Sequence, residues 1–375
     1  MDTQKEGFDG LDVIRKELIN AIKIVLPGTN KKALGMDCIV FDSNWLRTFN
    51  DHLSYSYRIE TGVSGVVRAK ELHKVLTKMR GEIIQFIVDT HSIALRDSRT
   101  TLRLTRLPED KVEMLKTNIA SLEIEGLNWQ PLPKGFAEGL PFCLFREGKD
   151  SPIGRLYGVV FVGRNIIATD NYRISRYQME SSISDEPFRL STMDLSKLNK
   201  DFECVAIKRD WFHLKSKDNL IVSVRTMPTK EYPIDRVMEV FDEMGSGDDS
   251  EIYKFPEDLE KSIELAMILA CLGKGELSFS TQISLWREGG YLLVRGKNNV
   301  GEVVDRIPWS EGILPEGIQI EISPIFLKEV LGVTRCFKLS PTQKAVIFVA
   351  PNFSHLILSG QRSTSSSAAS VNITA

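Results

Sequence analysis

The chain has 375 residues, a formal net charge of −2, and 42% hydrophobic and 26% charged residues, the make-up of an ordinary globular protein of two or three domains whose core needs no disulfide or metal staples. The balanced charge excludes an overall basic field, so a nucleic-acid partner would have to be met by a local patch. No apolar run approaches the roughly 20 residues of a membrane helix, the N-terminus MDTQKEGFDG is too polar for a signal peptide, and the five scattered cysteines point to reduced packing residues in a cytoplasmic protein.

Residues 1–7 are expected to fray. A helix is predicted over 11–25, where Leu11, Ile14, Leu18, Ala21, Ile22 and Val25 recur at helical spacing and Pro27-Gly28 stops it. A basic loop with Lys31 and Lys32 leads into strands at 38–42, 45–49 and 54–59. The next stretch is the most informative. A basic amphipathic helix over 68–80 sets Ala69, Leu72, Val75, Leu76 and Met79 on one side and carries Arg68, Lys70, Lys74, Lys78 and Arg80. Strands at 83–88, 92–96 and 100–105 follow, and 108–116 reads as a linker.

The same order then recurs. A weaker helix over 135–146 is interrupted by Gly139 and Pro141, and its loop carries Lys149 and Arg155. Residues 158–180 can be laid without a gap on 38–60; a helix at 193–200 and strands at 204–208, 211–215 and 220–226 complete the copy. An acidic, Gly/Ser-rich stretch at 241–253 reads as a boundary. The third copy has a helix over 256–272, strands at 283–287, 291–296 and 303–307, a helix over 324–334 and strands at 337–339, 345–349 and 355–359. Leu72, Leu195 and Leu327 are equivalent, a period of 123 and then 132 residues. That period is too long for a solenoid and suits three similar domains. Their bounds are predicted at 1–110, 111–245 and 246–362, with a low-complexity, disordered tail at 363–375. Each would be α+β, two helices packed on antiparallel sheets. Two Asn-x-Ser/Thr sites, at Asn352 and Asn372, would matter only in a secreted protein.

At this point the chain resembles a known family, the bacterial sliding clamp or β subunit of the replicative DNA polymerase. The triple repeat carries the resemblance. So does Ala168-Thr169-Asp170-Asn171-Tyr172-Arg173-Ile174, similar to the family's Ala-Thr-Asp-Gly-His-Arg-Leu. So does Tyr232-Pro233-Ile234-Asp235-Arg236-Val237, similar to a Phe-Pro-Asp-Tyr-x-Arg-Val segment. The resemblance covers about residues 8–362. It implies a homodimeric head-to-tail ring of six domains, helices lining a central hole, duplex DNA passing through, and no enzymatic activity or cofactor. It also implies a pocket for short apolar peptides of polymerases and clamp loaders, at Leu156, Thr169, Tyr172, Arg173, Ile174, Pro233, Arg236, Val237, Leu356 and Leu358. The sequence departs from the family where Asn171-Tyr172 replaces Gly-His and where the Pro233 segment is one residue short.

The charges suit that picture. The six candidate pore helices (11–25, 68–80, 134–147, 193–200, 256–272 and 324–335) together carry +4, leaving −6 for the rest of the chain, the sign expected if helices face phosphate. The expected DNA contacts are Lys31, Lys32, Arg68, Lys70, Lys74, Lys78, Arg80, Lys149 and Arg155. The plainer reading is that lysine and arginine on a helix merely solvate a face. Helix 256–272 goes the other way, with Glu257, Asp258, Glu260 and Glu264. Nothing reads as catalytic: the five histidines stand apart without metal spacing, and Lys274 in Gly-Lys-Gly lacks a phosphate-binding glycine-rich loop. Two other readings stay open. One is a clamp-like adaptor that binds proteins without encircling DNA; the other is a nucleic-acid enzyme on a related scaffold, which would need a clustered carboxylate or metal site.

Overall fold

The computed structural model describes residues 11–30, 35–89, 91–144, 156–198, 201–245, 251–270, 281–310, 312, 314–340, 342 and 344–359. In chain order, β1 (Val13–Ile14), α1 (Arg15–Val25), β2 (Cys38–Asp42), β3 (Trp45–Phe49), β4 (Leu53–Arg58), β5 (Ser64–Arg68), α2 (Ala69–Leu76), β6 (Ile83–Val88), β7 (Ser92–Arg96) and β8 (Thr101–Thr105) come first. Next are α3 (Glu109–Ala120), β9 (Gln130–Pro131), α4 (Phe136–Cys143), β10 (Val159–Val162), β11 (Asn165–Thr169), β12 (Arg173–Gln178), β13 (Phe188–Leu190), α5 (Thr192–Leu195), β14 (Cys204–Lys208), β15 (Trp211–Lys215), β16 (Ile221–Met227) and α6 (Ile234–Gly245). The last are β17 (Tyr253–Lys254), α7 (Leu259–Ala270), β18 (Ile283–Glu288), β19 (Tyr291–Lys297), β20 (Glu302–Pro308), β21 (Gln319–Ile322), α8 (Pro324–Leu331), β22 (Cys336–Leu339), β23 (Ala345–Ala350) and β24 (Phe353–Leu358).

The element order repeats three times: helix, three strands, a short strand, helix, three strands. The first hairpin of each copy is closed by two residues, at 43–44, 163–164 and 289–290. Ser43, Gly163 and Gly289 there have φ of 45°, 54° and 58°, the positive values that tight hairpins require.

The chain packs as two compact units, one of residues 1–132 with 190–227 and the other of 133–189 with 228–375. In the first unit, one sheet runs β1-β6-β7-β8 and another runs β5-β2-β3-β4-β16-β15-β14-β9. In the second unit, one sheet runs β20-β19-β18-β21 and another runs β17-β22-β23-β24-β12-β11-β10. All these pairings are antiparallel. The reason for two units in a chain of three repeats lies in two junctions. β4 of the first copy pairs with β16 of the second, and β12 of the second pairs with β24 of the third. The second copy is thereby shared between both units.

Helices cover the sheets through their apolar faces. α1 buries Leu18, Ala21, Ile22 and Val25. α7 buries Leu259, Ile263, Ala266 and Ala270, and it lies so close to β19 that a Cβ on Gly296 would fall 1.9 Å from the Ala266 carbonyl oxygen. In the first unit α3 adds a second layer: Val112, Leu115 and Ile119, three and four residues apart, pack with Cys38, Val40, Phe49 and Trp211. In the second unit α6 does the same. The segment expected as a linker, 108–116, is therefore helical from Glu109 onward, and the boundary expected from 241 begins inside a helix. Acidic residues on the outward faces of both helices disguise their apolar spacing.

Other boundaries also differ from expectation. The helix predicted from residue 11 starts at Arg15, because β-branched Val13 and Ile14 pair with Ile84 and Ile83. The helix expected over 68–80 is helical only at 69–76, and where one was expected at 193–200 a helix spans 192–195. Cys38 and Cys143 are buried thiols and Cys204 and Cys336 half-buried ones; burial pushes Cys38 up to about 12. Among the described residues, no helix is long and apolar enough to cross a membrane.

Candidate functional sites

The first candidate is the cationic face of α2. Leu72 and Leu76 are fully buried, Ala69 and Met79 nearly so. Arg68, Lys70, Lys74, Lys78 and Arg80 are all exposed. The sidedness follows from the sequence: Leu72 and Leu76 are one turn apart, and so are Lys70 and Lys74 on the opposite side, with Arg68 at the end of β5 and Lys78 and Arg80 in the segment that leaves the helix. The exit from the helix is fixed by Asp97, whose carboxylate accepts the backbone N–H groups of Gly81 (2.8 Å) and Arg80 (3.1 Å). Those bonds, Gly81's first, with others from Arg99 and Thr100, bring the Asp97 carboxyl down to about 2. Among the described residues none of the five cations' side chains has a carboxylate within 4.0 Å, so they form a row of like charges with Glu71 and Glu82 the acids nearest in sequence. Lys31, Lys32, Lys149 and Arg155 lie outside the described residues.

The second candidate is the apolar layer under α6. Leu156, Ile174, Val237 and Leu356, each no more than 3% exposed, join one cluster with Val160, Ile167, Tyr232, Val240, Phe241 and Ile347. Leu358, Ile234 and Met238 are only partly buried at its margin. Pro233 starts α6, its carbonyl accepting the Val237 N–H at 2.9 Å. Arg236 lies on the outer side of α6, bound to Glu239 at 3.2 Å and Glu243 at 3.6 Å. Thr169 Oγ donates to the Arg173 carbonyl at 2.8 Å, closing the β11–β12 turn, where Asn171 has a φ of 75°.

Like Arg236, the expected pocket residues Arg173 and Tyr172 lie outside the apolar layer. Strand alternation sends Arg173 to the face opposite Ile174. There its guanidinium lies 4.1 Å from the Phe326 ring centre, its Nε donates to Asp170 at 2.8 Å, and its Nη1 donates to Glu329. Tyr172 is 38% exposed, with its ring 6.3 Å from that of Phe326. A cavity of about 290 Å³ opens on this side, lined by Phe142, Val330, Phe353 and His355 as well as Arg173 and Glu329. Burial raises the Asp170 carboxyl against the pull of Arg173. The α6 residues Val240, Phe241, Ile234 and Met238 were not among the expected pocket residues; Val237, Val240 and Phe241 at helical spacing were the available signal. Among the described residues, no three His, Cys, Asp or Glu gather as a metal site would require.

No family model and no curated protein sequence matches the chain. Solved structures do. The chain is similar to the DNA polymerase III β chain of Streptococcus pneumoniae, with a TM-score of 0.74 and 16% identity over 93% of this chain and 99% of that one. It is similar to the sliding clamp of Bacillus subtilis, with a TM-score of 0.73 and 15% identity over 94% and 99%. It is also similar to the Helicobacter pylori β clamp, solved with a DNA ligase peptide, with a TM-score of 0.71 and 13% identity over 94% and 100%. The chain has the α+β fold of the DNA polymerase sliding clamps over nearly its whole length.

Proposed function

We propose that the chain is a divergent bacterial-type sliding clamp: a non-enzymatic processivity factor that closes around duplex DNA as a head-to-tail homodimer and holds polymerase and clamp-loader peptides. Its domains would be 1–110, 111–245 and 246–362, and it would work in the cytoplasm without a cofactor. One observation carries the reading. At two junctions the third strand of a copy's first half pairs with the third strand of the next copy's second half, β4 with β16 and β12 with β24. The remaining strands of those two kinds are β20 and β8, and each is the edge of its own sheet. A second chain supplies the missing partner for both, and two such pairings close a ring of six repeats. Both edges leave apolar side chains open: Val304 is 42% exposed, and Leu102 and Leu104 are partly so.

The unpartnered row on α2 supports phosphate contact, since neutralising such a row is what a polyanion does. Long lysine side chains touching phosphate loosely, often through water, would let a ring slide. The margin at Leu358, Ile234 and Met238 is where an extended apolar peptide would seat, next to an already packed layer. The ligase peptide on the H. pylori clamp supports a partner of that kind. The alternative, an adaptor that forms no ring on DNA, is favoured by α7, where Glu260 and Glu264 are bound to Arg335 and Lys328 and Leu265 and Ile268 are exposed. Single-particle electron microscopy of the purified chain separates them. Closed rings with a central hole support the clamp, and isolated single chains at micromolar concentration support the adaptor.

A further inference from the structure

The cavity of about 290 Å³ lies on the face of the β12–β24 pairing that carries Arg173 and His355, away from the layer under α6. Its walls are apolar: Phe142 from α4, Val330 from α8, Val333 just after α8, and Phe353 from β24. The Phe142 and Phe353 ring centres lie 4.8 Å apart. Phe142 and Val333 are half-buried, while Pro141 and Glu329 are exposed, so the cavity is reached from solvent. Its charges do not balance. Arg173 is the one cation among the described lining residues, burial holds His355 neutral, and Arg173 faces two carboxylates, Asp170 and Glu329. Three N–H groups favour the Asp170 anion: Arg173 Nε at 2.8 Å, and the backbone of Tyr172 and of Arg173 at 3.2 Å each. Glu329 accepts from Arg173 through Oε2. It has no second partner among the described residues, so Oε1 stays open on a side chain that is 45% exposed.

Two helix ends deepen the negative field. Pro141 and Phe142 belong to the last turn of α4, and Glu329 and Val330 to the last turn of α8, so the negative ends of two helix dipoles adjoin the cavity. α4 has no basic residue in its last turn, and Lys328 of α8 is engaged by Glu264 at 2.7 Å. We propose that this cavity binds an organic cation: a primary ammonium on Glu329 Oε1, with its apolar body among Phe142, Val330, Val333 and Phe353. One added positive charge completes the set of two carboxylates and one guanidinium, and the apolar body takes half-buried aromatic surface out of water. An anion would meet Glu329 as it entered. A bare metal ion would find one open carboxylate oxygen and leave the apolar walls unused. The site is independent of the clamp reading and of the layer under α6.

The test is calorimetric titration of the full chain with four probes: 2-phenylethylamine, its neutral counterpart 2-phenylethanol, the anion 3-phenylpropionate, and N-acetyl-Phe-Lys-amide. Saturable binding of the amine is expected, with the alcohol and the acid at least about tenfold weaker, because neither can donate a charge-assisted hydrogen bond to Glu329. The lysine probe separates two sources of the same cation. Binding at least as tight as the free amine assigns the site to a partner's lysine side chain, weaker binding to a free amine, and either supports the proposal. Glu329→Gln should remove the preference for amine over alcohol, while Leu358→Asp, on the other face of the sheet, should leave it unchanged. Wild-type crystals soaked with 2-(4-bromophenyl)ethylamine provide a check that needs no variant, with the bromine signal expected among Phe142, Val333 and Phe353. The proposal is overturned if neither the amine nor the lysine probe saturates below about 10 mM, if the alcohol or the acid binds as tightly as the amine, if a folded Glu329→Gln chain keeps the preference, or if the bromine lies elsewhere.

Discussion

Ser175 Oγ and His355 Nδ1 lie 2.6 Å apart, buried, as partners across the β12–β24 pairing. His213 and Ser223 make the same kind of pair at 2.8 Å across β15–β16. Burial, with Arg173 adding to it, lowers His355 to about 3, and burial with Lys208 lowers His213 to about 4. The unfolded chain takes up these protons near the ordinary value of about 6.5 while the folded chain refuses them. Stability is therefore full above that value and falls as pH drops below it, to about 4 for His213 and about 3 for His355. Each contributes a slope of ~1.4 kcal/mol per pH unit in its window. Urea melts at pH 7 and pH 5 should show wild type losing more stability than His213→Gln or His355→Gln. Equal losses would mean the imidazoles are not held neutral.

Among the described residues Arg173 is the largest fully buried side chain, and it pairs with Asp170 while reaching Glu329. Arg173→Ala should destabilise the fold by about 2 kcal/mol or more, since it leaves the mostly buried Asp170 carboxylate without its partner. Adding Asp170→Ala should cost less than the sum of the two single changes, because the pair is coupled. Additive denaturation energies would show that the two side chains do not act as a pair.

Leu358, at the margin of the apolar layer, should be an anchor for the partner peptide. Leu358→Asp should weaken a clamp-loader or polymerase tail peptide by about 2 kcal/mol or more, with the dimer intact. Leu156 is only 3% exposed, so Leu156→Asp should lower the melting temperature as well as abolish peptide binding. Fluorescence anisotropy with a labelled peptide measures both, and unchanged affinity in folded Leu358→Asp would put the partner site elsewhere.

Lys70→Glu, Lys74→Glu and Lys78→Glu together should weaken DNA binding and flatten its dependence on log salt, by about one unit of slope for each phosphate that is no longer neutralised. All three side chains are exposed, so the melting temperature should barely move. The same slope in wild type and variant would mean that α2 faces away from DNA.

The parts legible in the sequence were those where one periodicity dominates. Leu72 and Leu76 announced the buried face of α2 and hence its cationic one, and the gapless match of 158–180 to 38–60 announced the repeat. α3 and α6 were obscured because Glu109, Asp110, Asp235 and Glu239 crowd the apolar spacing of Val112 and Leu115, or of Val237 and Phe241, and suggest linkers. β5, β13 and β21, each three to five residues long, are too short to show a period. Ile174 and Leu356 share one apolar layer, whereas strand alternation turns Arg173, which the family likeness set beside Ile174, to the opposite face. The pairings of β4 with β16 and of β12 with β24 join residues far apart in sequence, and no local pattern encodes them.

A ring requires that a second chain complete the open edges β8 and β20. Multi-angle light scattering at micromolar concentration measures it directly. The account predicts about 85 kDa, twice the 42.3 kDa chain, falling towards one chain for Val304→Glu with Leu104→Glu, changes that leave the Leu358 margin untouched. A wild-type mass of one chain across that concentration range would contradict the ring.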